Sequence, residues 1–173
     1  MADTNHLEHR ISLCASHDRV WTALTDPEQF AYWFGASLDA GASFVEGERL
    51  TGTLAPSKAD PQTARTQKAY FGASLTLTLE RVEAARLLSF RWHPFAWEVP
   101  VEDPNEPLTH VVVTLSATGD RTDLTITESG FDRFVPARST AARAASQRGW
   151  VRVTYLIEKY LAGARDLRPH QGA

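Results

Sequence analysis

The sequence predicts an α+β fold, in which an antiparallel sheet packs against helices on one face, and three observations lead to this prediction. Phe71–Glu80 alternates apolar and polar residues, which is the period of a half-buried strand. Ala137–Ala164 instead carries apolar residues at helical spacing. Ala15–Gly35 contains the start signals of two short helices. Strands grouped in the middle of the chain and a long helix at its end favour this arrangement.

The composition is typical of a globular protein with one domain. The chain has 173 residues, of which 43% are hydrophobic and 23% are charged. A chain of this length buries roughly 70% of the surface that its unfolded state exposes. We therefore expect one domain over residues 7–164, with a flexible arm (1–6) and a flexible tail (165–173). The net charge of −3 gives no general attraction to nucleic acid, so no nucleic-acid partner is expected.

Three further features of the sequence favour a cytoplasmic protein. Cys14 is the only cysteine, so an internal disulfide cannot form. The N-terminal residues are polar and charged and lack the apolar segment of a secretory signal. No stretch approaches the ~20 apolar residues that are needed to cross a bilayer. We expect a cytoplasmic location and no membrane insertion.

The first three elements each have a local signal. A strand is predicted over residues 7–14, where apolar residues share one face (Leu7, Ile11 and Leu13). Ser16 can cap the first short helix, because its hydroxyl can accept a hydrogen bond from a backbone N–H of the first turn. Asp26 and Pro27 start the second helix, since proline at the first helical position loses no hydrogen bond. Gly35 suits the turn that ends it.

The central part of the chain is predicted to consist of strands and loops. Residues 44–55 are interpreted as two short strands joined by a tight turn, and residues 56–66 as a polar loop. Phe71 is expected to share the inward face of the next strand with Leu75 and Leu77. Three more strands are predicted over residues 88–92, 109–117 and 123–129, and Gly119-Asp120 marks a hairpin turn between the last two.

The C-terminal helix is predicted to have one apolar face and one basic face. Its apolar residues include Trp150, Val153 and Ile157. The segment 133–168 holds eight basic residues against two acidic ones. Three of the basic residues lie opposite Trp150 (Arg148, Arg152 and Lys159). This face is either solvated or a surface for an acidic partner or a neighbouring subunit.

Few residues carry a recognisable chemical pattern. The six histidines are scattered and no cysteine pair accompanies them, so neither a metal site nor a cofactor is expected. Glu128 continues the apolar face of its strand by strict alternation, and Arg143 lies on the stripe of Trp150. One hypothesis is that Glu128 and Arg143 pair, or jointly orient a ligand, at the wetter end of an apolar cavity. The alternative is that the strand ends before Glu128, or that Arg143 lies in an exposed turn.

A proline-rich loop over residues 94–107 carries two aromatic side chains, Phe95 and Trp97. Side chains of this size must bury their apolar surface somewhere. They can cover the mouth of a cavity as a lid, contact a partner, or clamp the loop over the edge of the sheet. The sequence leaves these alternatives open.

Several segments resemble the Activator of Hsp90 ATPase homologue family. They are Val20-Trp21, Ala23–Glu28 with Trp33, Leu88-x-Phe90-x-Trp92, Leu124–Phe131 and Gly149-Trp150. The family belongs to the START-like (SRPBCC, Bet v 1-like) superfamily. The resemblance implies a helix-grip fold, a curved antiparallel sheet of about six or seven strands around the long C-terminal helix. The sequence departs from the family where an Ala-Pro pair usually precedes the first helix, since it has Ala15-Ser16 there.

The resemblance and the aromatic residues together favour binding of a small hydrophobic or amphipathic ligand, such as a lipid, a polyketide or an aromatic compound. The cavity is expected between the sheet and the C-terminal helix. One alternative is an interaction module that activates the ATPase of an Hsp90-type chaperone, and another is a cyclase or dehydratase that uses Glu128 as acid or base. The protein is expected to be a monomer or a homodimer. The candidate ligand-binding residues are Trp33, Phe71, Trp92, Phe95, Trp97, Glu128, Phe131, Arg143 and Trp150.

Overall fold

A seven-stranded antiparallel sheet forms one layer of the protein. The computed structural model describes residues 5–101 and 103–166. The strands lie in the order β1-β7-β6-β5-β4-β3-β2, so the first and last strands along the chain are neighbours. The strands are β1 (His6–Leu13), β2 (Ala36–Leu38), β3 (Arg49–Leu54), β4 (Ser74–Glu83), β5 (Leu87–Trp92), β6 (Thr109–Thr118) and β7 (Arg121–Ser129).

The helices form the second layer, and the sheet curves around the longest of them. The helices are α1 (His17–Thr25), α2 (Pro27–Phe30), α3 (Pro61–Gln67) and α4 (Pro136–Asp166). The core lies between the inner face of the sheet and α4, where Leu156, Ile157 and Leu161 are almost completely buried. This arrangement confirms the predicted helix-grip fold. Among the described helices, none combines the length and the apolar character needed to cross a membrane.

The predicted helix caps of α1 and α2 are present. The Ser16 hydroxyl accepts a hydrogen bond from the Arg19 N–H at 3.3 Å, and Asp26 Oδ1 accepts one from the Gln29 N–H at 2.9 Å. Beyond α2 the chain makes a π-helical turn over residues 31–35, which ends at Gly35 with a positive φ of 95°. A Cβ at this glycine would overlap the Ala55 carbonyl oxygen, so a larger residue cannot replace it without a shift of the backbone.

Two predictions for residues 44–66 were wrong. Only β3 is a strand within residues 44–55, and it pairs with β4 and with β2, which was not predicted. The expected polar loop contains α3, where Asp60 accepts a hydrogen bond from the Thr63 N–H at 3.0 Å and Pro61 occupies the first turn. The same Asp-Pro signal starts α2.

The start of the strand at Phe71 was also predicted wrongly. Gly72 has a positive φ of 85°, and β4 begins only at Ser74. The reversal before the strand breaks the alternation, because Gly72 turns the chain between Phe71 and Leu75. The Phe71 side chain is 71% exposed, whereas Leu75 faces the core as expected.

The ends of the domain extend slightly beyond the expected limits. β1 begins at His6, and the described part of α4 ends at Asp166. The Asn5 side-chain oxygen accepts a hydrogen bond at 3.1 Å from the N–H of Gly130, the residue that follows β7. The rest of the predicted arm (1–4) and tail (167–173) lies outside the described residues.

Candidate ligand-binding site

A narrow apolar cavity lies between the inner face of the sheet and α4. Its volume is about 40 Å³. Aromatic rings form much of its wall, because consecutive inward positions of β5 are Phe90 and Trp92 and the π-helical turn presents Trp33 and Phe34. The wall residues are Leu24, Phe30, Trp33, Phe34, Phe44, Leu77, Leu88, Phe90, Trp92, Val113, Leu124, Ile126, Trp150, Val153, Thr154 and Ile157.

Glu128 lies behind this wall and holds two of its indole rings. Its carboxylate accepts hydrogen bonds from Trp92 Nε1 at 2.8 Å, Trp150 Nε1 at 3.0 Å and the Thr109 hydroxyl at 2.7 Å. Glu128 and Thr109 are fully buried. The two indole rings lie 5.4 Å apart at an angle of 30°. The carboxylate therefore fixes the orientation of both rings through their indole N–H groups.

The strand pattern explains why Glu128 points inward. β7 continues to Ser129, and its alternate residues Thr122, Leu124 and Ile126 are buried on the same face as Glu128. The alternative that the strand ends before Glu128 was wrong. Glu128 is nevertheless not among the wall residues of the cavity, whereas Trp92 and Trp150, which donate to its carboxylate, are.

The structure does not bring Arg143 to Glu128. Within the described residues, all three donors to the Glu128 carboxylate come from Trp92, Trp150 and Thr109. The Arg143 guanidinium instead donates to the His6 carbonyl oxygen at 3.4 Å, near the edge of the sheet. The hypothesis of a Glu128–Arg143 pair was therefore wrong. Two indoles and a hydroxyl satisfy the carboxylate without a cation.

The proline-rich loop packs its two aromatic rings against residues that line the cavity. Phe95 is almost fully buried and packs against Trp92 and Trp150, with ring centroids 4.9 and 5.2 Å away. The half-buried Trp97 packs against Phe95 at 5.3 Å and Phe34 at 6.5 Å. Phe95 has a positive φ of 46°, an uncommon conformation for a bulky residue, which places its ring under the loop.

Ion pairs hold this loop against α4. Arg138 binds Glu106 at 2.5 and 3.1 Å through two nitrogens and also donates to the Val99 carbonyl at 2.8 Å. Glu98 accepts from Arg148 at 3.4 Å and from Arg152 at 3.2 Å. The acidic loop thus neutralises part of the basic face that the sequence predicts on α4. The carboxylates of both glutamates are largely buried, with 9% and 11% of their side chains exposed.

Two histidines, His9 and His93, are partly buried. His9 Nε2 lies 2.8 Å from the hydroxyl of Thr154, a wall residue, and burial lowers the pKa of His9. Burial also lowers the pKa of His93, which follows β5; the Glu106 charge opposes this shift and the Arg138 charge adds to it. The lowered pKa values favour the neutral form of both imidazole rings.

The predicted site residues separate into four groups. Trp33, Trp92 and Trp150 line the cavity, and Phe95 and Trp97 pack against residues of its wall. Glu128 supports the wall from behind. The remaining three do not line it, because Phe71 is exposed, Arg143 faces the sheet edge, and Phe131 packs with Leu7 and Ala142 in a separate small cluster.

Sequence reasoning missed Thr109 and Thr154. The alternation of β6 contained the signal for Thr109, because this residue continues the inward face of Val111 and Val113. Thr154 lies four residues after Trp150, on the same face of α4. The Thr109 hydroxyl donates to Glu128 across the core, and the Thr154 hydroxyl lies beside His9 and also contacts the Trp150 and Val151 carbonyl oxygens of its own helix.

Solved structures of other proteins have the same fold as this chain. The protein DynU16, from the dynemicin biosynthetic locus, superposes with a TM-score of 0.64 and 24% identity over 92% of this chain. This chain spans about half of DynU16, 48% of its length. A protein from Arthrobacter aurescens superposes with a TM-score of 0.70 and 20% identity over 100% of this chain and 96% of its own. The Aha1 dimer from Colwellia psychrerythraea gives a TM-score of 0.62 and 13% identity over 90% and 95%.

The family assignment rests on the sequence itself. A search of curated proteins found no match. The family model described as "Activator of Hsp90 ATPase homolog 1-like protein" matches residues 14–162, which cover α1 to α4 and six of the seven strands. The structural likenesses, all below 25% identity, show the same fold. The chain belongs to the Activator of Hsp90 ATPase homolog 1-like family.

Proposed function

We propose that this protein binds a small hydrophobic or amphipathic ligand between the sheet and α4, with the loop of residues 94–107 as the lid. The observation that carries the proposal is the cavity wall, in which aromatic and aliphatic side chains surround open space beneath a loop held by ion pairs. Sites for small molecules are typically apolar clefts with a few polar groups that fix the ligand's orientation.

The size of the cavity implies that the lid moves when a ligand enters. The cavity of about 40 Å³ is far below the roughly 300–1,000 Å³ that is typical of small-molecule sites. A second cavity of about 30 Å³ lies beside it, bordered by Phe95 and Trp97. Phe34 and Val153 belong to the walls of both. Displacement of Phe95 and Trp97 would join the two spaces into one larger site.

The test compares two valine substitutions on α4. Val153→Phe places a ring between the two cavities, whereas Val151→Phe adds the same ring at a position that is 57% exposed. Uptake of Prodan, an uncharged naphthalene fluorophore, is measured by its emission, and native mass spectrometry detects lipophilic molecules retained by the purified protein. We expect Val153→Phe to abolish Prodan uptake and Val151→Phe to leave it unchanged.

A second variant covers the case in which the larger side chain prevents folding. Val153→Ala enlarges the space at the same position, so we expect Prodan to bind more tightly to it than to the unmodified protein. Equal uptake by all variants, or no uptake by any, would contradict binding in this cavity.

A second candidate function is stimulation of the ATPase of an Hsp90-type chaperone, and membership of the family favours it. Glu98 already pairs with Arg148 and Arg152, so a partner would meet the outer face of α4 at the exposed Val151 and Tyr155. The ATP turnover of a purified Hsp90-type chaperone is compared with and without this protein and its Tyr155→Ser variant. Stimulation that Tyr155→Ser removes supports this function, and unchanged turnover opposes it.

A further inference from the structure

A groove of about 320 Å³ lies on the other side of the lid, where the sheet is open. It runs between the first residues of β4 and the loop that follows β5. Trp92 and Trp97 form part of its wall, and these residues also line the two inner cavities. The two tryptophans thus separate an outer groove of ligand size from narrow inner spaces.

The register of the strands leaves backbone groups of β4 facing this groove. Leu54 N–H donates to the Ala73 carbonyl at 2.8 Å, which fixes the alternation of the β3–β4 pair. In such a pair, successive residues of a strand direct their backbone groups to opposite sides. The N–H and C=O of Leu75 therefore point to β3, whereas those of Ser74 and Thr76 point away from β3. Within the described residues, β5 pairs with β4 only from Thr78 onward, and no loop, turn or side chain hydrogen-bonds to the main chain of Ser74 or Thr76 on that side.

The described wall residues of the groove carry no formal charge at neutral pH. They are Ala73–Thr76 and residues 92, 93, 96, 97, 100 and 101, and within this described part of the chain His93 is the only titratable side chain of the wall. Burial lowers the pKa of His93, which favours the neutral ring. Its Nδ1 is buried and has no hydrogen-bond partner among the described residues. A groove that offers unpaired hydrogen-bond donors and acceptors but no charge suits an uncharged polar group. An ionised group placed there would lose hydration without gaining an opposite charge.

We propose that this groove binds the head group of the ligand, and that the head group is an uncharged carboxamide. A carboxamide offers one acceptor and one donor side by side, the pattern that the N–H and C=O of Thr76 require of a partner. The apolar body of the ligand extends past Trp97 into the inner cavity. This proposal rests on the binding function proposed above and narrows it to neutral, amide-bearing amphipaths.

The experiment uses three probes that share one apolar body. Naphthamide carries the proposed head group, naphthoate is its charged counterpart, and methylnaphthalene has no polar head. Affinity is measured by quenching of tryptophan emission, and amide shifts are followed by ¹⁵N-resolved NMR. We expect naphthamide to bind about tenfold more tightly than either other probe, the contribution of one or two hydrogen bonds. We also expect larger shifts at the Thr76 amide than at Leu75.

Two substitutions at one position separate the backbone from the side chain. Thr76→Pro removes the N–H that faces the groove, on the side where β5 does not pair with β4 at this residue. Thr76→Val keeps the N–H but removes the hydroxyl. We expect Thr76→Pro to remove the preference for naphthamide and Thr76→Val to retain it. If Thr76→Pro does not fold, the amide shifts of the unmodified protein still decide the point.

The possible outcomes distinguish this proposal from the broader one. Equal affinity for naphthamide and methylnaphthalene would overturn the head-group site and leave the cavity as a hydrophobic binding site. Tighter binding of naphthoate would overturn the neutral groove. Failure of all three probes to bind would contradict the proposed function together with this inference.

Discussion

The ring of Phe95 occupies the space that a side chain at residue 149 would fill. A Cβ built on Gly149 would overlap three ring carbons of Phe95. Phe95 cannot retreat easily, because it is 2% exposed and packs between Trp92 and Trp150. The glycine in α4 therefore provides the surface against which Phe95 of the 94–107 loop packs.

We predict that Gly149→Ala destabilises the protein although alanine favours helix formation. The gain in helix propensity is about 1 kcal/mol, whereas forcing a side chain into a packed site costs typically 1–3 kcal/mol. Urea denaturation should therefore show a lower free energy of unfolding. Prodan uptake should rise, since the displaced Phe95 loosens the lid.

Gly163→Ala is the matched control on the same helix. No heavy atom lies within 4 Å of a Cβ built at Gly163, so only the propensity term remains. This variant should be as stable as the unmodified protein or slightly more stable. Equal effects of the two substitutions would refute the steric role of Gly149.

We predict that Glu128→Gln lowers the free energy of unfolding by about 1–3 kcal/mol. Glutamine keeps one acceptor oxygen but turns an amide group toward donors, so at least one of the bonds from Trp92, Trp150 or Thr109 is lost in the buried core. Urea denaturation followed by tryptophan emission measures the change. The exposed Glu158→Gln on α4 is the control, and a similarly small effect of both changes would count against the anchoring role.

We predict a measurable coupling between Glu106 and Arg138 in a double-mutant cycle. The pair makes two hydrogen bonds with little exposure, and such charged bonds contribute about 1.5–3 kcal/mol. The exposed pair Glu8–Arg10 should show no measurable coupling, because solvent screens it. Comparable values for both pairs would show that the ion pair does not hold the lid.

We predict that stability falls as the pH drops below the ordinary histidine pKa of 6.5. Burial lowers the pKa of His9 and of His93 in the folded protein, so the unfolded chain binds more protons in this range. The free energy of unfolding should be highest above pH 6.5 and decrease as the pH falls from there toward the lowered pKa values. Urea titrations at several pH values should show a shallower decrease for His9→Gln/His93→Gln. If the free energy of unfolding of this double variant depends on pH as steeply as that of the unmodified protein, the two histidines are not the cause of the decrease.

Local signals in the sequence predicted most of the elements but not the contacts of the site. The caps at Ser16 and Asp26 are hydrogen bonds between residues three positions apart, so they could be predicted from the sequence. The cap at Asp60 was equally local and could have been predicted from Asp60-Pro61. The turn at Gly72 was harder, because an alternating pattern continues through Phe71 without showing that the backbone reverses.

The alternation of β7 placed Glu128 inside but could not name its partners. Arg143 was the expected partner because a buried charge favours an opposite one. The partners found lie on β5, β6 and α4, 19 to 36 residues away in sequence. Which groups meet a side chain across the core depends on how the sheet curves, and periodicity within one element carries no information about that.

The sequence by itself determined the α+β class, the caps of α1 and α2, the inward face of β7 and the long C-terminal helix, because each depends on propensities and periodicities of neighbouring residues. The tertiary structure alone decided that two indoles bind Glu128, that Phe95 closes over Gly149, and that the acidic loop pairs with the basic face of α4. These contacts join segments distant in the chain, and their geometry exists only once the sheet has closed around the helix.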